Sequence, residues 1–239
     1  MNTDLFTNIY FMRKIYSIIL VSFLLVGTFS CSSLKKFSGY VLTEQDAAAA
    51  IRQLLNIGAS SDGMMNAFSK ENMLSAIFPE PVSNVLTTLQ QLGLTNEIDR
   101  FTNTLSLAAE QTAEKSIPIF AQSISQLKFK DAVRIVKNGG TAATDYLRST
   151  TGDSLRIAVK PVMQQAISEY KLDQQWAKII KPTSVIGGAK INTDLSNLMA
   201  GVVTEMMFRK IEAEERKVRT EASARTTTLL QKVFSKDWN

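Results

Sequence analysis

The chain has 239 residues, 45% of them apolar and 21% charged, with a formal net charge of +5. That balance suits a folded domain with a sizeable core and argues against general disorder. There is no His and only one Cys, which excludes Ser-His-Asp and Cys-His catalysis, His-based zinc sites, thiolate clusters and an intrachain disulfide.

The first thirty residues stand apart from the rest. Arg13 and Lys14 precede an uncharged apolar run, 15–26, and Gly27-Thr28-Phe29-Ser30 then leads into Cys31. A basic start, an apolar stretch shorter than the roughly 20 residues of a membrane span, and a small residue before the break are the parts of a secretory signal. Residues 1–30 are therefore expected to be a signal peptide, with Met12 offering a second start. The only Cys at the end of such a segment resembles the bacterial lipobox, which implies that Cys31 is acylated, with palmitate or a similar chain, and anchors the protein to a membrane. Ser30 and Ser32 fit that pattern, while Thr28 and the bulky Phe29 depart from it; the alternative is a free or buried thiol. Residues 31–42 then form a polar tether with Lys35 and Lys36. No acidic cluster of the kind that marks lipoproteins sent to the cell surface follows the Cys, so the expected location is the bacterial cell envelope, facing the periplasm.

From 43 to 239 the pattern is helical and predicts one all-α multi-helix bundle. Thr43 and Asp46 form a capping signature ahead of an Ala-rich helix over 47–57, which Gly58 is expected to stop before a loop at 59–63. Pro79 and Pro81 separate a short segment at 72–78 from a helix at 82–92 ended by Gly93. Thr95 opens a helix whose Ile98, Phe101, Leu105, Ala108 and Thr112 fall on one face. Pro118 is expected to begin a new segment, 119–127. A helix over 130–137 stops at Gly139-Gly140, followed by short helices at 141–149 and 154–170, the latter kinked or divided by Pro161. The segment 181–192 reads as a loop. A long helix over 194–219 carries Leu195, Leu198, Met199, Val202, Met206 and Ile211 on one face, and its end, 212–219, reads as a solvated ion-paired surface. A last helix at 224–234 presents Leu229, Leu230, Val233 and Phe234.

Charge is unevenly distributed: residues 43–127 hold 4 Lys/Arg against 9 Asp/Glu, net −5, and residues 128–190 hold 11 against 5, net +6. Either the two segments pack near each other or the basic one faces an anionic lipid or polymer of the envelope.

Seven stretches, 103–110, 117–120, 130–133, 139–146, 155–161, 214–219 and 229–234, together resemble a bacterial family known only as domain of unknown function 4197, whose members are often small exported lipoproteins. Ser106 stands where the family pattern has an Arg, and a Pro near Ser223 is missing. The resemblance implies an all-α fold and an envelope location, and supplies no activity. Within those stretches Glu110, Asp131, Asp145, Arg148, Lys160, Glu214, Glu215 and Arg219 are charged residues in otherwise apolar helices. Buried charges need partners, so these residues are expected to form interhelical ion pairs and caps, Asp131 for its own helix and Thr141 or Thr144 for the next, or else to touch a partner.

Three functional readings follow. The first is a non-enzymatic, membrane-tethered module that binds a partner protein or an apolar ligand, with Met64, Met65, Met199, Met206 and Met207 lining an adaptable groove. The second is a structural envelope protein that contacts anionic lipid or polymer through 128–190. The third is a hydrolase using Glu110 with Asp145, or Glu214 with Glu215, although adjacent helical residues point about 100° apart. No calcium-loop spacing and no cofactor motif is present, and export disfavours nucleic acid. The anchor is directly testable: Cys31→Ser is expected to move the protein from the membrane to the soluble fraction, and continued membrane retention of that variant would overturn the lipidation reading.

Overall fold

The computed structural model describes residues 39–60, 68–77, 87, 90–183 and 194–238. The chain divides into two units, Met1–Val41 and Leu42–Asn239. In the first only 39–41 are described, with a turn at Gly39. The signal segment and Cys31, residues 61–63 of the loop expected at 59–63, Met64 and Met65, most of the helix expected at 82–92, and residues 184–192 of the loop expected at 181–192 lie outside the described residues, while 181–183 of that expected loop are helical.

The second unit is all-α, with no strand among the described residues. Its helices are α1 (Glu44–Ser60), α2 (Lys70–Ile77), α3 (Thr95–Gln126), α4 (Ala132–Asn138), α5 (Ala142–Glu169), α6 (Leu172–Thr183), α7 (Leu195–Thr220) and α8 (Thr228–Phe234). The three long helices α3, α5 and α7 pack on one another, α1 crosses α7, α3 and α4, and α8 closes against α1 and α7. Phe120 of α3 meets Phe208 of α7 edge to face, 5.6 Å between centroids. Helix α6, absent from the expected elements, packs on α3 and α5 and stacks Trp176 on Phe101 at 5.3 Å.

Local signals set several of the helix ends. The Asp46 amide donates to Thr43 Oγ1 at 3.1 Å, and acidic Glu44 and Asp46 sit in the first turn of α1, where the helix dipole favours them. The Asn197 amide donates to Asp194 at the start of α7, and the Leu230 amide to Thr227 at the start of α8. The face of α3 expected from Ile98, Phe101, Leu105, Ala108 and Thr112 is buried throughout.

Helix breakers fared differently. Pro118 lies inside α3, which runs on to Gln126. Proline removes one backbone bond and crowds the preceding turn, a loss of about 3 kcal/mol. The stripe Thr112, Ser116, Phe120 and Ile124 is nevertheless buried without interruption, and burying two side chains like Phe120 and Ile124 returns about 1.5–3 kcal/mol each. Gly152 and Pro161 likewise lie within one continuous α5, held by buried Leu147, Leu155, Val159 and Met163.

Gly58 does not end α1 but lies inside it, at a close crossing with α7: a Cβ there would stand 2.7 Å from the Ile211 Cα. A Cβ at Gly152 would meet only ordinary contacts, 3.8 Å from Arg148 Cγ and 4.0 Å from the Phe208 ring. The methionine groove is also corrected. Met199 and Met207 are fully buried core residues on the seam Leu195, Met199, Val203, Met207, Ile211, and Met206 is half-buried beside it. Val202 and Leu198, expected on that seam, flank it.

The same substitution should act in opposite directions at the two glycines. Gly152→Ala is expected to stabilise by roughly 1 kcal/mol through helix propensity. Gly58→Ala should destabilise by about 1–3 kcal/mol, because a backbone clash outweighs that gain. Urea midpoints of both variants measure the signs.

Candidate functional site

The most deeply buried ion pair among the described residues sits where α4 turns into α5. Gly139 and Gly140 both take left-handed backbone, φ 67° and 56°, a conformation that glycine adopts without the steric penalty of a Cβ. The turn aims the last carbonyls of α4 and the first amides of α5 at the same stretch of α7. Glu215, fully buried, accepts the amides of Ala143 (3.0 Å) and Thr144 (2.8 Å) and the Thr144 hydroxyl (2.6 Å). One helical turn on, Arg219 Nε donates to Glu215 at 2.9 Å, while its terminal nitrogens donate to the carbonyls of Val136 (2.9 Å) and Ile135 (3.2 Å). The guanidinium lies 5.1 Å from the ring centroid of Phe234 in α8.

An anion therefore meets the positive end of α5 and a cation meets the negative end of α4. Thr141, at the N-cap position of α5, makes no cap; its hydroxyl donates to Asp145 instead (2.9 Å). The cap comes from Glu215, on another helix, and Thr144 serves as a donor to it. This also corrects the solvated reading of 212–219, since Glu215 is buried and the Arg219 side chain is only 10% exposed.

Further charges tie α5 to α7 along their length. Arg148 reaches Glu212 at 2.8 Å and Glu205 and Asp145 at 3.4 Å, with the Phe208 ring 5.0 Å beneath it. Burial acts against the Arg148 charge, but its three carboxylate partners outweigh that and raise its pKa. Lys160 pairs with Asp194 at 3.2 Å. The Asn197 amide and then Lys160 hold the Asp194 carboxyl below its ordinary value. Residue numbers rise on α5 as they fall on α7 from Thr144–Glu215 to Lys160–Asp194, so the pair is antiparallel with its register set at several points.

The remaining residues singled out in the sequence take separate places. Asp131 caps α4, accepting the Arg134 amide at 2.9 Å. Glu214 sits between Lys210 (3.2 Å) and Lys217 (2.9 Å); burial pushes its carboxyl up, but the two lysines more than reverse this and leave it below its ordinary value. Glu110, half-buried on α3, has no hydrogen bond or ion pair among the described residues. Glu214 and Glu215 thus do not share a site, and Asp145 is occupied by Thr141 and Arg148.

Several groups carried no sequence signal for the contacts they make. Glu44 caps α4 from a distance, accepting the Ala132 amide at 2.7 Å. Arg225 donates to the Val218 and Arg219 carbonyls at the end of α7 (2.9 and 2.8 Å), and this burial lowers its pKa. Arg52 donates to the Leu127 carbonyl at 2.6 Å and lies over the Phe129 ring. A small polar cleft between α3 and α6 is lined by Asn96, Glu97, Arg100, Gln175 and Lys178. Among the described residues no cluster of three or more acidic or Cys side chains could hold a metal, and no helix is long and apolar enough to cross a membrane.

The family model described as protein of unknown function (DUF4197) matches residues 41–235. Neither the curated proteins nor the solved structures contain a match to this chain.

Glu215→Ala is expected to destabilise by about 3–5 kcal/mol, because it leaves a buried guanidinium and two helix amides without their anion. Glu214→Ala should cost only about 1 kcal/mol. Because the Glu214 pKa is depressed on folding, its contribution is present above the unfolded carboxylate pKa and is lost as pH falls through the folded value. Urea titrations of both variants at neutral and acidic pH measure these effects.

Proposed function

The chain belongs to the DUF4197 family of proteins of unknown function, and on that premise we propose that it is a lipid-anchored, non-enzymatic helical module of the bacterial cell envelope, facing the periplasm, that binds an envelope protein. The anchor is Cys31, read from the signal-like segment before it.

The observation that carries the reading is the use to which the charged motif residues are put. Apart from Glu110, each of them is engaged: Asp131 as a cap, Glu215 and Arg219 at the α4–α5 corner, Asp145 with Arg148, Lys160 with Asp194, Glu214 between two lysines. An acid–base pair needs two carboxyls about 5–9.5 Å apart across a substrate cleft, and carboxylates already engaged by structural donors are poorly placed for proton transfer. With Met199 and Met207 in the core, an apolar-ligand groove loses its main support, and a protein partner fits better than a small apolar ligand.

The test has two arms. Incubation of the purified mature protein with peptidoglycan fragments, glycans and esters is expected to give no turnover. Turnover abolished by Glu110→Gln or Asp145→Asn would overturn the non-enzymatic reading. Crosslinking in intact native envelopes, followed by mild-detergent purification of the lipidated protein, should give one saturable protein adduct, and its absence would overturn the partner-binding reading.

A further inference from the structure

The end of the bundle at which the chain enters carries a cluster of exposed cations. Helix α1 begins at Glu44, whose carboxylate accepts the Ala132 amide at 2.7 Å, so the first turn of α1 abuts the first turn of α4. Around that contact lie Lys128 and Lys130, immediately before α4, and Arg134 and Lys137 on it, all exposed. Arg134 pairs with Asp131 at 3.3 Å. The side chains of Lys128, Lys130 and Lys137 have no hydrogen bond or ion pair among the described residues.

Of the acidic groups beside them, Glu44 and Asp131 are directed to the amides of α4, and Asp46 lies in the first turn of α1. Arg52 adds a further cation, held on the Leu127 carbonyl. Helix α4 has seven residues, about 10 Å at the helical rise, so its cations lie within about one Debye length of one another and act on an anionic surface together.

The covalent path to Cys31 is short. Residues 31–42 can reach at most about 40 Å when fully extended, and they bring Lys35 and Lys36 with them. An acyl chain on Cys31 therefore keeps the domain within about 40 Å of the headgroups, where a weak electrostatic contact is strengthened by its high local concentration.

We propose that this end docks on anionic phospholipid headgroups, with Lys128, Lys130, Arg134 and Lys137 as the contact surface and Cys31 as the anchor. The inference rests on the reading of Cys31 as lipidated. It assigns the basic patch a lipid surface, because the tether keeps the domain close to the membrane itself.

The experiment uses the mature chain as Cys31→Ser, which removes the anchor and leaves the patch. Co-sedimentation is measured with vesicles of phosphatidylglycerol and phosphatidylcholine and with vesicles of phosphatidylcholine alone, at low and high salt. Binding is expected only to the anionic vesicles and only at low salt, so the same variant is still released from native membranes washed at high salt. Replacing Lys128, Lys130 and Lys137 with Ala should weaken it by about a hundredfold, at roughly fivefold per cation, with circular dichroism unchanged because all three are exposed. The double variant Lys171→Ala, Lys178→Ala, elsewhere on the surface, should bind like its parent.

Equal binding to neutral vesicles, or no loss in the triple variant, would overturn the proposal. So would tighter, patch-dependent binding to soluble anionic cell-wall fragments, which would assign the patch to a polymer. The two readings fail separately. If the protein with Cys31 intact incorporates labelled palmitate while the Ser variant ignores anionic vesicles, only the patch is wrong. If no palmitate is incorporated but the patch binds vesicles, only the anchor is wrong.

Discussion

A carboxylate taken fully out of water loses several kcal/mol of hydration unless donors replace it, and the way Glu215 meets that demand organises the bundle. Its donors are two amides and a hydroxyl from the first turn of α5 and the guanidinium of Arg219. Arg219 in turn spends its remaining N–H groups on the last carbonyls of α4 and lies over Phe234 of α8. One ion pair thus touches four helices and closes the open end of two of them. It works only because Gly139 and Gly140 turn the chain in left-handed backbone, so that a helix C-terminus and a helix N-terminus present opposite partial charges to the same side of α7.

The same logic recurs at lower stakes. Glu44 closes the start of α4 from the start of α1, and Arg225 folds back on the end of α7. Helix ends that could be capped locally are in several places capped by a distant side chain, which couples formation of the helix to formation of the tertiary contact. Arg148 and Lys160 then fix the sliding register of α5 against α7, where apolar packing alone would tolerate a shift by one turn.

The parts of this architecture legible in the sequence are those decided within one turn of helix. Thr43, Asp131 and the Gly139-Gly140 stop follow from capping chemistry, and the α3 face follows from its spacing. Pro118, Gly152 and Pro161 misled, because their local costs, about 1 kcal/mol for Gly and about 3 kcal/mol for Pro, are set against buried faces that continue unbroken across them. Gly58 misled for a different reason. Its purpose is the nearness of Ile211, more than a hundred and fifty residues away, and nothing beside it records that. The buried status of Glu215 had a signal that charge counting hid: the seam Met207, Ile211, Glu215, Val218 steps by four, four and three, so the apolar face of α7 runs directly through the carboxylate. A charged residue at a core position of a helix, rather than the charge density around it, is what marks a buried pair.

The stretches that resemble the family acquire a physical meaning once the corner is seen. Segment 130–133 supplies Asp131 and the amide that Glu44 caps; 139–146 supplies the glycine turn and the amides of Ala143 and Thr144; 214–219 supplies Glu215 and Arg219; 229–234 supplies Phe234. The last three of these segments, spread over about a hundred residues of sequence, converge on one lock, and 130–133 closes the other end of α4. A pattern of charged residues recurring in this order would ordinarily be read as an active site, because catalytic groups and buried structural pairs leave the same mark in a sequence: a polar residue where an apolar one is due. The two separate on satisfaction. A catalytic carboxylate needs an open side toward substrate, whereas Glu215 has its oxygens filled by amides, a hydroxyl and a guanidinium, all supplied by the fold. The charged residues of the pattern that the fold engages, Glu215 and Arg219 foremost, therefore specify how the bundle is built.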